Sequence, residues 1–149
     1  MELAYLKKLY QDGLFDVYSG FDTWEEAVKA ACSPLIRQGL VEPAYADSII
    51  ENVAENGPYF IAPHICMPHS KRTDLVRQAT VSFVKINRPV YYDESDPEMG
   101  AELFFAIAVK ELNAHLDVMM DLADVFDDEE TVRALLDAKT KEDFDKLLG

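Results

Sequence analysis

The chain has 149 residues, 49% apolar and 11% aromatic, enough to bury the core of one domain and too hydrophobic for a disordered segment. Fourteen Lys and Arg stand against 28 Asp and Glu, and the net charge of −14 argues against nucleic acid and anionic lipid as partners. No apolar run reaches the ~20 residues of a membrane span. The N-terminus lacks the order of a signal peptide, and Cys32 and Cys66 have neither disulfide nor zinc spacing, so a cytoplasmic address without membrane insertion is expected.

In chain order, Leu3, Leu6 and Tyr10 mark a short amphipathic helix over 2–10, and the alternation of Phe15–Tyr18 marks a strand closed by Ser19-Gly20. Thr23-Trp24-Glu25-Glu26 is a capping box. Trp24, Ala27, Val28, Ala31 and Leu35 follow on one face, Gly39 ends the helix, and Pro34 is expected to kink or split it. Pro43 opens the next helix, with Ala46, Ile49, Ile50 and Val53 as its buried stripe and Gly57-Pro58 as its stop. Residues 59–62 read as a buried strand and 78–86 as a longer one. The nearly continuous apolar run 102–109 reads as a central strand covered on both faces. Three helices close the chain: 113–126 with Leu116, Met119, Met120 and Ala123 inward, 128–138, and one opened by a Thr140-x-x-Asp143 cap. The pattern predicts one α/β domain over 1–149, a three-layer α/β/α sandwich with a small mixed sheet flanked by helices.

The three histidines concentrate the chemistry. His64 and His69 lie in Ala62-Pro63-His64-Ile65-Cys66-Met67-Pro68-His69-Ser70, where two prolines dictate a stiff loop or short strand. A stiff backbone that presents an imidazole suits a nucleophile, because misplacement costs rate steeply. Ser70-Lys71-Arg72-Thr73 follows, offering hydroxyls and amides to a phosphate. Between Pro63 and Val90 stand Lys71, Arg72, Arg77, Lys85 and Arg88 against Asp74 alone, a local balance of +4. Two readings remain, an anion at His69 or a surface loop with scattered basic residues. His115 falls in the first turn of a helix just after the central strand, where the dipole favours an anion and a neutral imidazole; a polar residue filling a helix N-terminus is the plainer alternative. The set His64-x-Cys66-x2-His69 has metal-like residues, yet no carboxylate completes it and the extended chain turns its members to opposite sides, so no metal is expected.

Two blocks, 57–69 (GPYFIAPHICMPH) and Ala114-His115-Leu116 with Leu122-Ala123-Asp124-Val125-Phe126, resemble the IIA component of the bacterial phosphoenolpyruvate-dependent sugar phosphotransferase system, in its mannitol/fructose-type superfamily. The resemblance covers essentially the whole chain. The Gly-Pro-Tyr lead-in and Val84-Lys85-Ile86-Asn87-Arg88-Pro89-Val90 most resemble the L-ascorbate-type branch. Carried over, it implies that His69 is phosphorylated by the phosphocarrier HPr and passes the group to a cysteine of a separate IIB protein, and so to sugar entering through a membrane IIC component. His115 is implied as the phosphate-stabilising histidine. This chain has His64 where the family usually has Gly, Cys66 where it has Ala, Ser70 where it has Ala or Gly, and Val53-Ala54 where the mannitol branch has an Arg-Glu pair. Arg72 is therefore offered as the supporting cation, with Ser70 and His64 expected close to the phosphate.

No cofactor or ATP site is implied, since a phosphohistidine donor is already high in energy and no Walker-type motif occurs. Ile65 and Met67 are expected to form a shallow docking patch for transient partners. The short N-terminal helix leaves a homodimer open. A regulator whose phosphorylation state controls binding to a target protein is the alternative function, and an acidic binding domain with incidental histidines is the third.

Overall fold

Strands form where β-branched and aromatic residues run unbroken, and helices where a cap precedes apolar residues at 3.6 spacing. In the computed structural model the described residues are 1–56, 58–111 and 113–149, with the side chains of Asn56, Ile61 and His115 outside the description. The strands are β1 (Phe15–Tyr18), β2 (Phe60–Ala62), β3 (His64–Cys66), β4 (Thr80–Val90) and β5 (Ala101–Ala108). The helices are α1 (Ala4–Gln11), α2 (Trp24–Arg37), α3 (Ala44–Asn56), α4 (Ala114–Asp127), α5 (Glu129–Asp137) and α6 (Lys141–Leu148). Gly57, half of the expected stop after α3, lies outside the described residues.

The sheet is mixed, in the order β1-β4-β5-β3-β2. β1 runs parallel to β4 and β3 parallel to β5, while β4 with β5 and β2 with β3 are antiparallel. One face carries a row of aromatic rings in register across three strands, Phe15 beside Phe83 and Phe83 beside Phe105, with centroids 5.5 and 4.8 Å apart. Phe144 of α6, Phe126 of α4 and Tyr10 of α1 cover that row. Each such ring pair contributes about 0.5–1.5 kcal/mol beyond the area it buries. On the opposite face α2 lies close against β4, and the buried Ser82 hydroxyl donates to the Ala31 carbonyl at 2.6 Å. α3 packs beside α2. The three-layer α/β arrangement is therefore as the periodicity predicts. No helix among the described residues is long and apolar enough to cross a membrane.

Three expectations need correction. Of the two outcomes expected at Pro34, the split does not occur, since α2 runs as one helix through it. The lost N–H bond is outweighed because Ala31, Cys32 and Leu35 around it are fully buried. β4 extends four residues past the expected end at 86, with Arg88 and Pro89 exposed and Val90 buried again. On α4, Leu116 and Met120 point outward, each 64% exposed, while Leu122 and Val125 are buried instead. Both stripes have helical spacing, and the sequence alone does not say which one meets the sheet.

Candidate functional site

β3 and β5 run parallel, so their carboxyl ends open on the same end of the sheet, where sites in α/β folds gather. His69 stands there, three residues beyond β3. Its backbone is held by the central strand: the Ile107 N–H donates to the Pro68 carbonyl at 2.9 Å. The ring is half-buried and packs against the Tyr59 ring with centroids 4.0 Å apart. The Asn52 amide in turn donates to the Tyr59 hydroxyl.

His69 Nδ1 lies 2.8 Å from the Met67 carbonyl oxygen. A carbonyl only accepts, so Nδ1 carries the proton and the ring's lone pair is on Nε2. Burial lowers the imidazole pKa below its usual 6.5, and the Met67 carbonyl opposes that only in part. The result is a neutral, oriented imidazole at neutral pH, the form a nitrogen nucleophile needs.

The other expected site residues distribute unevenly. Ser70 is next to His69 but turned inward: only 2% exposed, its hydroxyl lies 2.9 Å from Ser48 Oγ and accepts from the Arg72 N–H at 3.1 Å. The Arg72 guanidinium is exposed and held by both carboxylate oxygens of Asp74, at 2.9 and 2.8 Å. His115 falls in the first turn of α4, at the same end of the sheet as His69, and its side chain lies outside the described residues.

The structure does not bring His64 to this group. His64 is level with Ala101 at the start of β5, whereas Pro68 is level with Ile107 near its end, so the five residues from His64 to His69 run along the strand and span up to about 16 Å at about 3.3 Å per residue. His64 opens β3, directly after the one-residue connection at Pro63, with φ +75°, a left-handed conformation that glycine adopts without cost. The strand register slips beside it, and Glu102 accepts its Nδ1 at 3.0 Å.

The expected basic patch is likewise dispersed. Lys85 is fully buried on the sheet face that carries the aromatic row, donating to the Leu135, Leu136 and Ala138 carbonyls that end α5. Arg77 pairs with Glu42 and Arg88 with Asp22. Ile65 and Met67 are buried at 4% and 3% exposure, so they form no docking patch. The apolar surface at this end is instead Leu116 and Met120 of α4. Burial pushes the Cys32 thiol to about 12 and the Cys66 thiol well above its usual value, so neither is a nucleophile at neutral pH. Among the described residues no group of three His, Cys, Asp or Glu is placed to hold a metal ion.

Sequence reasoning passed over four residues around His69: Tyr45, Ser48, Asn52 and Tyr59. The first three share one line of α3 at i, i+3 and i+7, beside the apolar stripe of Ala46, Ile49 and Val53. That polar line was the available signal, since polar groups adjoining a buried stripe need partners.

Residues 8–149 match the family described as phosphoenolpyruvate-dependent sugar phosphotransferase system, EIIA 2. The ascorbate-specific PTS system EIIA component of Escherichia coli K12 is 32% identical over 126 residues, covering 82% of this chain and 80% of that protein. Its counterpart in Mycoplasma pneumoniae is 36% identical over 116 residues, 76% of this chain and 72% of that protein. Among solved structures, the complex of enzyme IIAMTL and phosphorylated enzyme IIBMTL from Escherichia coli contains a chain of the same fold, with a TM-score of 0.73 and 25% identity over 90% of this chain and 97% of that one.

Proposed function

Because the chain belongs to the EIIA 2 family of the phosphoenolpyruvate-dependent sugar phosphotransferase system, we propose that it carries a phosphoryl group on His69 Nε2, between phospho-HPr and a cysteine of a IIB protein. The observation that carries this reading is the Nδ1–H bond to the Met67 carbonyl, which leaves the lone pair on Nε2 of a neutral ring. In the transfer, the P–N bond of a donor phosphohistidine protonated at its other nitrogen breaks, and its electron pair stays on the donor ring. The Nε2 lone pair forms the new N–P bond. The Nδ1 proton remains in place, and the positive charge that the ring acquires strengthens its bond to the Met67 carbonyl. Attack by the IIB thiolate on phosphorus then returns the electron pair to Nε2. Phosphoryl transfer of this kind needs positioning and charge stabilisation rather than a cofactor.

His115, from the first turn of α4, is proposed to stabilise the phosphoryl oxygens together with the helix N-terminus. Arg72 joins them by exchanging Asp74 for phosphate, and Ser70 serves by fixing the turn from within. His64 is assigned no part in the transfer. The whole chain acts as one IIA unit in the cytoplasm, feeding a membrane IIC component indirectly. Relatives named as ascorbate-specific favour that branch.

Incubation with phosphoenolpyruvate, enzyme I and HPr is expected to place acid-labile label on the wild type and none on His69→Ala. Unlabelled wild type, or a labelled His69→Ala, overturns the reading. Label that no IIB protein drains assigns the chain to regulation instead.

A further inference from the structure

Tyr45 is fully buried on α3, 24 positions before His69, yet its hydroxyl reaches the turn that carries the histidine. The phenol oxygen accepts from the Ser70 N–H at 3.3 Å and donates to the Ile107 carbonyl at 2.6 Å. The Ile107 N–H donates to the Pro68 carbonyl at 2.9 Å. The Pro68 carbonyl belongs to the peptide before the His69 Cα, and the Ser70 N–H to the peptide after it. Both peptides that flank the histidine therefore end on one residue of the central strand, the first directly and the second through Tyr45. The Ser48 hydroxyl fastens the same corner, 2.6 Å from the Tyr45 carbonyl and 2.9 Å from Ser70 Oγ.

We propose that Tyr45 is a positioning residue for phosphoryl transfer: its hydroxyl, bridging Ser70 to Ile107, holds the His69 turn so that Nδ1 meets the Met67 carbonyl and Nε2 faces the incoming phosphorus. This rests on His69 being the phosphoacceptor. The segment from Met67 to Arg72 has no regular secondary structure to fix it, whereas a reacting group must be held within about 0.5 Å and 10–20° of its productive geometry. Burial also raises the Tyr45 phenol above its ordinary value, so it stays protonated and keeps donating at neutral pH. Removing the oxygen strands a buried donor and a buried acceptor while leaving the ring's packing in place.

Tyr45→Phe is compared with wild type and with Tyr5→Phe, which removes a partly buried phenol unconnected to the His69 turn. Rates of phosphorylation by phospho-HPr are normalised to the folded fraction from near-ultraviolet circular dichroism, and the ring nitrogens of His69 are read by 15N NMR at pH 8. For Tyr45→Phe, kcat is expected to fall ~10- to 100-fold with KM for phospho-HPr within about twofold, as misplacement by about an ångström implies. The His69 nitrogens are expected to move from the single Nδ1–H pattern to a tautomer mixture. A kcat equal to that of wild type, a loss matched by Tyr5→Phe, or an unchanged nitrogen pattern overturns the proposal. If wild-type His69 accepts no phosphoryl group, the proposed function falls, while the nitrogen patterns of the two proteins still decide whether Tyr45 sets the ring.

Discussion

At the scale of single residues, the chemistry reduces to keeping one imidazole neutral and aimed. Tyr59 supplies part of the cover that lowers the His69 pKa, and the Met67 carbonyl selects the tautomer. In the proposed transfer the reactive form is the neutral ring, so a lowered pKa extends phosphoryl acceptance to more acid pH. The acid limb of the rate of His69 phosphorylation is accordingly expected to lie at more acid pH than an ordinary histidine would give. Tyr59→Ala, which exposes the ring, should move that acid limb up toward the usual histidine value; a limb that stays put in a pH–rate profile would remove Tyr59 from this role. The same depression makes His69 a small burden on stability in acid. The unfolded chain binds its proton first, so stability declines as pH falls through 6.5 toward the folded value.

At the scale of elements, Lys85 shows how a central strand disciplines a helix. Its ammonium leaves the sheet face and closes the carbonyl end of α5, donating to three carbonyls there. A cation at that end also complements the helix dipole. Burial lowers its pKa from 10.5 to about 8, so the folded protein loses this proton before the unfolded chain does. Lys85→Met keeps most of the volume but strands the carbonyls, and should cost about 1–3 kcal/mol in denaturant unfolding at pH 7. Between pH 8 and 10.5 the unfolded state binds the extra proton, so wild type should gain stability relative to Lys85→Met as pH rises; a difference independent of pH would mean that the amine is not desolvated. Lys85 belongs to the stretch that looked electropositive in sequence. Its charge is spent inside the fold, on the far side of the sheet from α2 and α3.

At the scale of the molecule, the two ends of the β3–β5 pair have separate duties. The carboxyl end carries His69, and the other end carries the left-handed His64 with Glu102. An L-residue at such a φ costs roughly 1–2 kcal/mol, and a half-exposed hydrogen bond to Glu102 returns about 1 kcal/mol of that. His64→Gly is therefore expected to leave stability unchanged or raise it by up to about 1 kcal/mol, with phosphorylation rates within about twofold of wild type. A larger loss of rate would tie the two ends together. The contrast explains what the sequence disclosed. Helices, strands and the Pro68-His69 corner rest on local spacing and on the stiffness of proline, and they are legible. Tyr45 reaches a carbonyl 62 positions away, Lys85 caps a helix 50 positions on, and Arg77 and Arg88 find acids in earlier helix-flanking segments; these depend on pairings that only the folded topology creates. His64 seemed near His69 because five residues separate them, but an extended strand turns those five residues into distance.

The anchoring of both His69 peptides on Ile107 ties the lifetime of the site to that of the core. Breaking those bonds means opening the middle of the sheet, which in a cooperative domain occurs only on the rare excursions that unfold the whole of it. Helices at the surface can fray and reseal many times within that interval. If His69 is the phosphoacceptor as proposed, each partner meets it in the same anchored pose while the rim around it is free to adapt.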